Sequence, residues 1–264
     1  MKSMIRAFEV LHNMLARRGV TSKCTDLDHV LLICTHHKTG TKWMQQVFSA
    51  ICDKYNWRFK EGDRETIPPK CDVYLSWNSQ VRKKRIKPGY RGLHIIRDPR
   101  DVIVSAAFYH QTSREAWLHK KRIGLNGQTY QQAINCQEDL GGKIRFEMDH
   151  ASGNVIREML DWDSSDPDII EYRYEDLIID LELNEFRRIF QHLGFAEEKF
   201  DELCEIVWKN SLFSGEVKDV GHVRSGKPRQ WVEYFDRPLR HRFRELFGDG
   251  LVRLGYEPDD AWCD

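Results

Sequence analysis

Lys38, Thr39, Gly40, Thr41 and Lys42 gather two ammonium groups, two hydroxyls and a glycine in five consecutive residues. That combination suits phosphate or sulfate. The lysines supply charge, the threonines supply hydroxyl donors, and the glycine lets backbone approach a ligand closely. Trp43 follows at once. Farther along, Arg97 precedes Asp98 and Pro99, and Ser105 lies eight residues beyond Arg97. A third basic stretch, HVRSGKPRQW, contains Arg224, Ser225 and Gly226. There the glycine frees backbone N–H groups to face a phosphate, and Arg224 can fork onto its oxygens. The order of residues is not that of the nucleoside-triphosphatase loop G-x-x-x-x-G-K-[ST]. Gly40 is followed by Thr41, no Gly-Lys pair occurs there, and Thr35 stands five residues before Gly40.

These groups need elements to position them. Val30–Cys34, rich in β-branched and Leu residues and bounded by turn residues, reads as a buried strand. After it, Trp43, Val47 and Ile51, with Met44 and Phe48 beside them, recur at helical spacing. The first cluster therefore sits in a strand, tight loop, helix unit. The helix start offers unpaired N–H groups and a partial positive charge. Residues 92–96 read as another buried strand, running into a helix over 99–111 with Asp98 as its cap and Pro99 in its first position. Arg97 is thus expected at the carboxyl end of a strand, and Ser105 two turns into the helix on the face of Asp98 and Asp101. Ligands of open α/β sheets bind at that edge. Further strands are expected over 71–77 and 169–174, and helices over 128–140, 149–162, 183–193 and 197–208. Residues 55–70 read as irregular surface. Residues 79–87, with Arg82, Lys83, Lys84, Arg85 and Lys87, read as a solvated helix face. The polar stretch 112–127 reads as a mobile cover over the site. Asp161-Trp162-Asp163 imitates a D-x-D metal motif but reads as a turn in an acidic loop.

The first cluster resembles the 5′-phosphosulfate loop of sulfotransferases that use 3′-phosphoadenosine-5′-phosphosulfate (PAPS). Lys38, Gly40, Thr41 and Trp43 match it in place, and Thr39 stands for a serine. His37 and Lys42 depart from the usual Pro and Thr. The second cluster meets every fixed position of the family's 3′-phosphate motif R-[ND]-P-[KR]-D-x-x-V-S, through Arg97, Asp98, Pro99, Arg100, Asp101, Val104 and Ser105. Tyr174-Glu175-Asp176-Leu177 resembles a family segment whose Tyr approaches the adenine. Ser211-Leu212-Phe213 is similar to a turn packed against the adenine, Phe213 being otherwise a core residue. Arg224, Gly226 and Trp231 match the family's Arg-Lys-Gly loop, with Ser225 in place of Lys. The resemblance covers about 30–255.

It implies one domain of three-layer α/β/α architecture, with a central, mainly parallel sheet and a P-loop-like start. It implies PAPS as donor, adenosine 3′,5′-bisphosphate (PAP) as product and no metal. The donor would be held by Lys38, Thr39, Gly40, Thr41, Lys42, Trp43, Arg97, Ser105, Tyr174, Phe213, Arg224, Ser225 and Gly226. Lys38 would be catalytic, at the oxygen bridging phosphorus and sulfur. Trp43 would stack on the adenine, or else pack in the core. The acceptor would be a hydroxyl or amine of a small molecule or glycan, bordered by residues 57–69 and 111–126. The cytosolic branch of the family carries a Thr-His dipeptide on a strand between the two phosphate motifs. The corresponding stretch here, VYLSW over 73–77, has no histidine. Candidate bases are His37, His110 and Glu61, whereas His94, inside a strand, reads as structural.

Composition sets the outer bounds. The chain has 264 residues, with 41 Lys+Arg against 41 Asp+Glu, so no global field points to nucleic acid or an acidic membrane. Hydrophobic content of 41% with 31% charged residues suits a soluble globular protein. No apolar run reaches membrane-spanning length. Seven cysteines without a C-x-x-C pair suit free thiols in a reducing compartment, so a cytoplasmic location is expected. Near the start, Met4, Phe8, Leu11 and Leu15 share one helical face: a transit peptide or, given Glu9 and the scarcity of Ser, a small packing helix. Oligomeric state stays open. Two other readings remain. A nucleotide kinase would need the Gly-Lys pair and Mg²⁺ ligands. A non-catalytic PAPS-binding protein would keep the loops without a base.

Overall fold

The computed structural model describes residues 27–211 and 226–263. The expected N-terminal helix, Cys24, Phe213, Arg224 and Ser225 lie outside them. A five-stranded parallel sheet forms the middle layer: β1 (Val30–Cys34), β2 (Phe59–Gly62), β3 (Val73–Ser76), β4 (Tyr90–Ile96) and β5 (Ile169–Arg173), in the order β2-β3-β1-β4-β5. Every residue of β1 is buried because both of its faces are covered. Leu31 and Ile33 belong to one core, Val30, Leu32 and Cys34 to another.

The helices are α1 (Thr41–Tyr55), α2 (Pro99–Tyr109), α3 (Tyr130–Asn135), α4 (Leu140–Asp149), α5 (Ala151–Leu160), α6 (Tyr174–Ile178), α7 (Asn184–His192), α8 (Phe200–Lys209), α9 (Trp231–Tyr234), α10 (Arg237–Phe247) and α11 (Gly250–Arg253). Helices α1, α7 and α8 close the core that holds Leu31, Ile33, Leu93 and Ile95. Ile96, on the opposite face of β4, joins a core built from α2, α4, α5 and α10. Met44, Val47, Phe48 and Ile51 of α1 are buried, each contributing about 1.5–3 kcal/mol.

Several boundaries differ from the sequence reading. Residues 55–70 are not all irregular, since β2 lies within them as an edge strand. Its residues Phe59, Lys60 and Glu61 are not buried, so no apolar run announces it. Residues 79–87 form only a short 3-10 turn, Lys83–Arg85. Lys83 is not solvated: it pairs with Asp166 at 2.7 Å and sits 4.7 Å over the Trp162 ring. The two helices expected over 128–140 and 149–162 are three, because α4 starts anew at Leu140. Asp139 caps it, accepting from the Gly142 N–H at 2.7 Å. The D-x-D stretch is a turn, with Asp163 bound to Ser165. Each of the six described cysteines is a free thiol.

Connections run from β1 outward to β2 and β3, then return past β1 to β4 and β5. The order reverses at β1, so a crevice opens beyond the carboxyl ends of β1 and its neighbours β3 and β4. Cys34, the last residue of β1, lies opposite Ser76 and His94.

His94 carries a pH prediction. Its Nδ1 is 2.8 Å from Glu171, its Nε2 is 2.9 Å from Nε2 of His36, and its ring stacks on Trp162. His36 in turn faces Glu158. Burial pushes His94 down to about 4, with Glu171 opposing and His36 and Lys83 adding to the shift. The unfolded chain therefore binds this proton first as pH falls. Stability tied to His94 is complete above about pH 6.5 and is lost between there and about 4, up to about 3 kcal/mol. Urea midpoints are expected to drop between pH 7.5 and pH 5, and less so in His94→Gln. Equal acid sensitivity in both proteins would remove His94 as the cause.

Candidate functional site

The loop after β1 is shaped by two residues in the left-handed region, Lys38 at φ 69° and Gly40 at φ 104°. A Cβ on Gly40 would also meet the Tyr174 ring at 3.2 Å, so only glycine fits there without strain. The Thr39 hydroxyl accepts from the His36 N–H at 2.8 Å and donates to the His36 carbonyl at 2.9 Å. The Thr41 hydroxyl donates to the same carbonyl at 2.8 Å. Both hydroxyls, expected as donors to a ligand, brace the loop through His36. The start of α1, which has no acidic residue in its first turn, carries the backbone amides that a helix leaves unpaired.

Arg97 emerges buried from the end of β4. Its Nη1 donates to the Lys38 carbonyl at 3.0 Å, and its guanidinium lies 4.6 Å from the centre of the Tyr174 ring. The Asp101 carboxylate is 3.9 Å away. Tyr174, first residue of α6, touches Gly40 and donates from its hydroxyl to the Gly226 carbonyl at 3.2 Å. Gly40, Arg97 and Gly226, spread over most of the chain, thus meet around the Tyr174 ring, and Arg97 ties the Lys38 carbonyl to them. Two contacts hold the returning segment after Gly226. Asp101 accepts from the Trp231 N–H at 2.9 Å, and the buried Arg100, forked onto Asp98, stacks on the Trp231 ring at 3.6 Å. Burial raises the Asp101 carboxyl even though Arg97 pulls it down.

Trp43 is half-buried, its ring 5.5 Å from Phe186 and 6.2 Å from Tyr174. It therefore packs on the core and borders the Tyr174 cluster at once. Ser105 is half-buried on α2. Lys42 is not gathered with the others: exposed, it donates to Gln45 at 2.7 Å. Gln45 passes on to Glu61 of β2, which also accepts from Trp77.

The Lys38 ammonium lies 3.7 Å over the ring of Tyr109. Burial, then the nearby Arg97, pushes it down to about 8, against the pull of Glu115 and Glu147. His37 and His110, read as separate candidates, are hydrogen-bonded to each other at 3.0 Å, while Glu61 sits on the outer strand. Burial, His110 and Lys38 hold His37 well below the usual imidazole range. Tyr109, Trp117 and Glu147 were missed. Tyr109 had a signal, because Asp101, Ser105 and Tyr109 follow at steps of four along one helical face. Glu147 had none. Among the described residues no group of three or more His, Cys, Asp or Glu is arranged to hold a metal ion. No described helix is long and apolar enough to cross a membrane.

A family model described as a sulfotransferase domain matches residues 28–255. Comparison with curated proteins gave no significant match. Among solved structures, the chain is similar to mouse sulfotransferase SULT7A1 complexed with PAP, at 16% identity and TM-score 0.59, over 85% of this chain and 84% of that one. It is also similar to retinol dehydratase in complex with androsterone and inactive cofactor PAP, at 18% identity and TM-score 0.50, over 84% and 80% of the two chains. A complex of retinol dehydratase with retinol and PAP matches at 17% identity and TM-score 0.50, over 86% and 82%. At such identities the likeness shows the fold: a three-layer α/β arrangement around a parallel sheet.

Proposed function

The chain belongs to the sulfotransferase family, and on that premise we propose that it moves a sulfonate group from PAPS to a hydroxyl or amine of a small-molecule or glycan acceptor, releasing PAP. The observation that supports this most is the meeting of Gly40, Arg97 and Gly226 around the Tyr174 ring at the carboxyl edge of the sheet, with Arg97 bound to the Lys38 carbonyl. The matched structures were crystallised with PAP. A nucleotide carrying phosphates at both its 3′ and 5′ positions needs two anion sites flanking an aromatic surface. The loop amides and Lys38 would take the 5′ side. Arg97 and Ser105, with Arg224, Ser225 and Gly226 by resemblance, would take the 3′-phosphate. Trp43 and Tyr174 would meet the adenine.

In-line transfer needs the donor held still and the charge growing on the leaving phosphate oxygen compensated. The amides of Gly40, Thr41 and Lys42 serve the first need in a loop that Thr39 and Thr41 brace. Lys38 serves the second. A bound phosphate dianion lifts Lys38 from about 8 toward its ordinary value, so it is charged when needed. Calorimetric titration with PAP, followed by PAP release from PAPS with phenols, alcohols and amines, tests the reading. Binding together with acceptor-dependent release is expected. Binding without release from any acceptor would leave a non-catalytic PAPS-binding protein, and no binding would end the PAPS reading.

A further inference from the structure

Nε2 of His37 is 3.0 Å from Nε2 of His110. Nδ1 of His110 is 2.6 Å from Oε1 of Glu147, whose Oε2 accepts from the Ser152 hydroxyl at 2.7 Å. The side chains of His110 and Glu147 are completely buried. A carboxylate only accepts, so the proton between His110 and Glu147 belongs to Nδ1 of His110. With that proton on Nδ1, Nε2 of His110 is the acceptor, and the Nε2–H of His37 donates a hydrogen bond to it. These assignments follow from the hydrogen bonds. Both nitrogens of His110 and one of His37 are thereby used, and Nδ1 of His37 is left as a lone pair at the end of the relay.

The relay ends beside Lys38. The His37 ring centre is 5.9 Å from that of Tyr109, the same ring that carries the Lys38 ammonium at 3.7 Å. Trp117 stands edge-on to both imidazoles, 6.4 Å from His37 and 5.0 Å from His110. It belongs to the stretch 112–127 that the sequence placed over the site.

We propose that His37 is the base that takes the acceptor's proton, and that His110 and Glu147 position it and receive the resulting charge. This rests on the PAPS reading. As the acceptor oxygen bonds to sulfur, its proton passes to Nδ1 of His37, and the Nε2 proton of His37 passes to Nε2 of His110. The bond between sulfur and the bridging oxygen breaks, and its electron pair stays on the 5′-phosphate beside Lys38. The positive charge ends on His110 against the Glu147 carboxylate. A charge kept on His37 would face the Lys38 ammonium next to it in sequence, so the transfer to His110 relieves a like-charge contact. Burial first, then His110 and Lys38, hold His37 well below the usual imidazole range, so it is unprotonated near pH 7. The pairing of a base with a group that orients it is the general pattern of activated proton transfer.

The test starts with PAP titration, then follows PAP release from PAPS with aliphatic alcohols, phenols of graded acidity, and water as the acceptor always present. With poorly acidic alcohols, His37→Asn and Glu147→Gln are expected to lower kcat about 10²-fold or more, leaving the KM for PAPS and the Kd for PAP unchanged. The loss should shrink as the phenol becomes acidic enough to ionise without a base, and Glu147→Asp should restore part of the rate. A structural role would give the same loss for every acceptor. Equal losses across the series, or none, would overturn the relay while the PAPS reading stands. Release from no acceptor at all, despite PAP binding, would overturn it too. Failure of the native protein to bind PAP would instead remove the reading beneath it.

Discussion

Lys38→Ala is expected to lower PAPS turnover about 10²–10³-fold, the usual cost of removing one preorganised group that stabilises developing charge. Binding of PAP should weaken far less, because the loop amides at the start of α1 and the brace from Thr39 and Thr41 to His36 remain. Single-turnover release of PAP and calorimetric titration separate the two effects. The titration has an internal check. Burial and then Arg97 hold Lys38 at about 8. At pH 8.5 part of the protein therefore carries a neutral amine, and an incoming dianion makes it take up a proton. The measured heat should then depend on the ionisation heat of the buffer at pH 8.5, much less at pH 7, and not through this group in Lys38→Ala. An unchanged turnover number in Lys38→Ala would take the residue out of the mechanism.

PAP should bind at least about 10²-fold more tightly than adenosine 5′-monophosphate, which lacks only the 3′-phosphate. Each charge-assisted hydrogen bond to that group is worth about 1.5–3 kcal/mol, and about 1.4 kcal/mol makes a decade. Arg97→Ala should collapse the ratio by weakening PAP selectively. The structure adds a refinement: Arg97 also donates to the Lys38 carbonyl and lies on the Tyr174 ring, so its loss loosens the 5′ side as well. A shared loss is therefore expected for both nucleotides, and the ratio between them isolates the 3′-phosphate. Competition titrations of the two nucleotides against native and variant protein measure it. If the ratio survives the substitution, or if the native protein never preferred PAP, Arg97 is a loop brace and not a phosphate ligand.

Much of the cluster at the carboxyl edge of the sheet could be read directly from the chain because each of its parts is local. The run Val30–Cys34 is apolar throughout, as a strand covered on both faces must be. Gly40 takes a φ of 104° next to a tyrosine ring, which leaves glycine as the fitting residue. Asp98 and Pro99 start α2 by capping and by a preset φ, and so hold Arg97 at the end of β4. Two elements lay beyond such patterns. The edge strand β2 fully buries only Gly62 of its four residues and so shows no apolar run, and α4 has Gly141 and Gly142 in its first turn, weak helix formers that its Asp139 cap offsets. Helix α10 was legible and passed over: Asp236 caps it, a proline stands in its first turn, and Leu239, Phe243 and Phe247 line its buried face.

Other matters were decided only by folding. Whether the Thr39 hydroxyl points at a ligand or at the His36 carbonyl depends on a turn closed by that bond. Whether Lys83 meets water or Trp162 depends on a helix and a loop packed long after it in sequence. His37, His110 and Glu147 come from the loop after β1, the end of α2 and the last turn of α4, separated by 73 and 37 positions. No periodicity links them, because periodicity records which face of an element is buried, not which polar atoms two buried faces bring within 3 Å of each other. The packing of α2 against α4, and of both beside the β1 loop, turned three residues distant in sequence into one hydrogen-bonded unit.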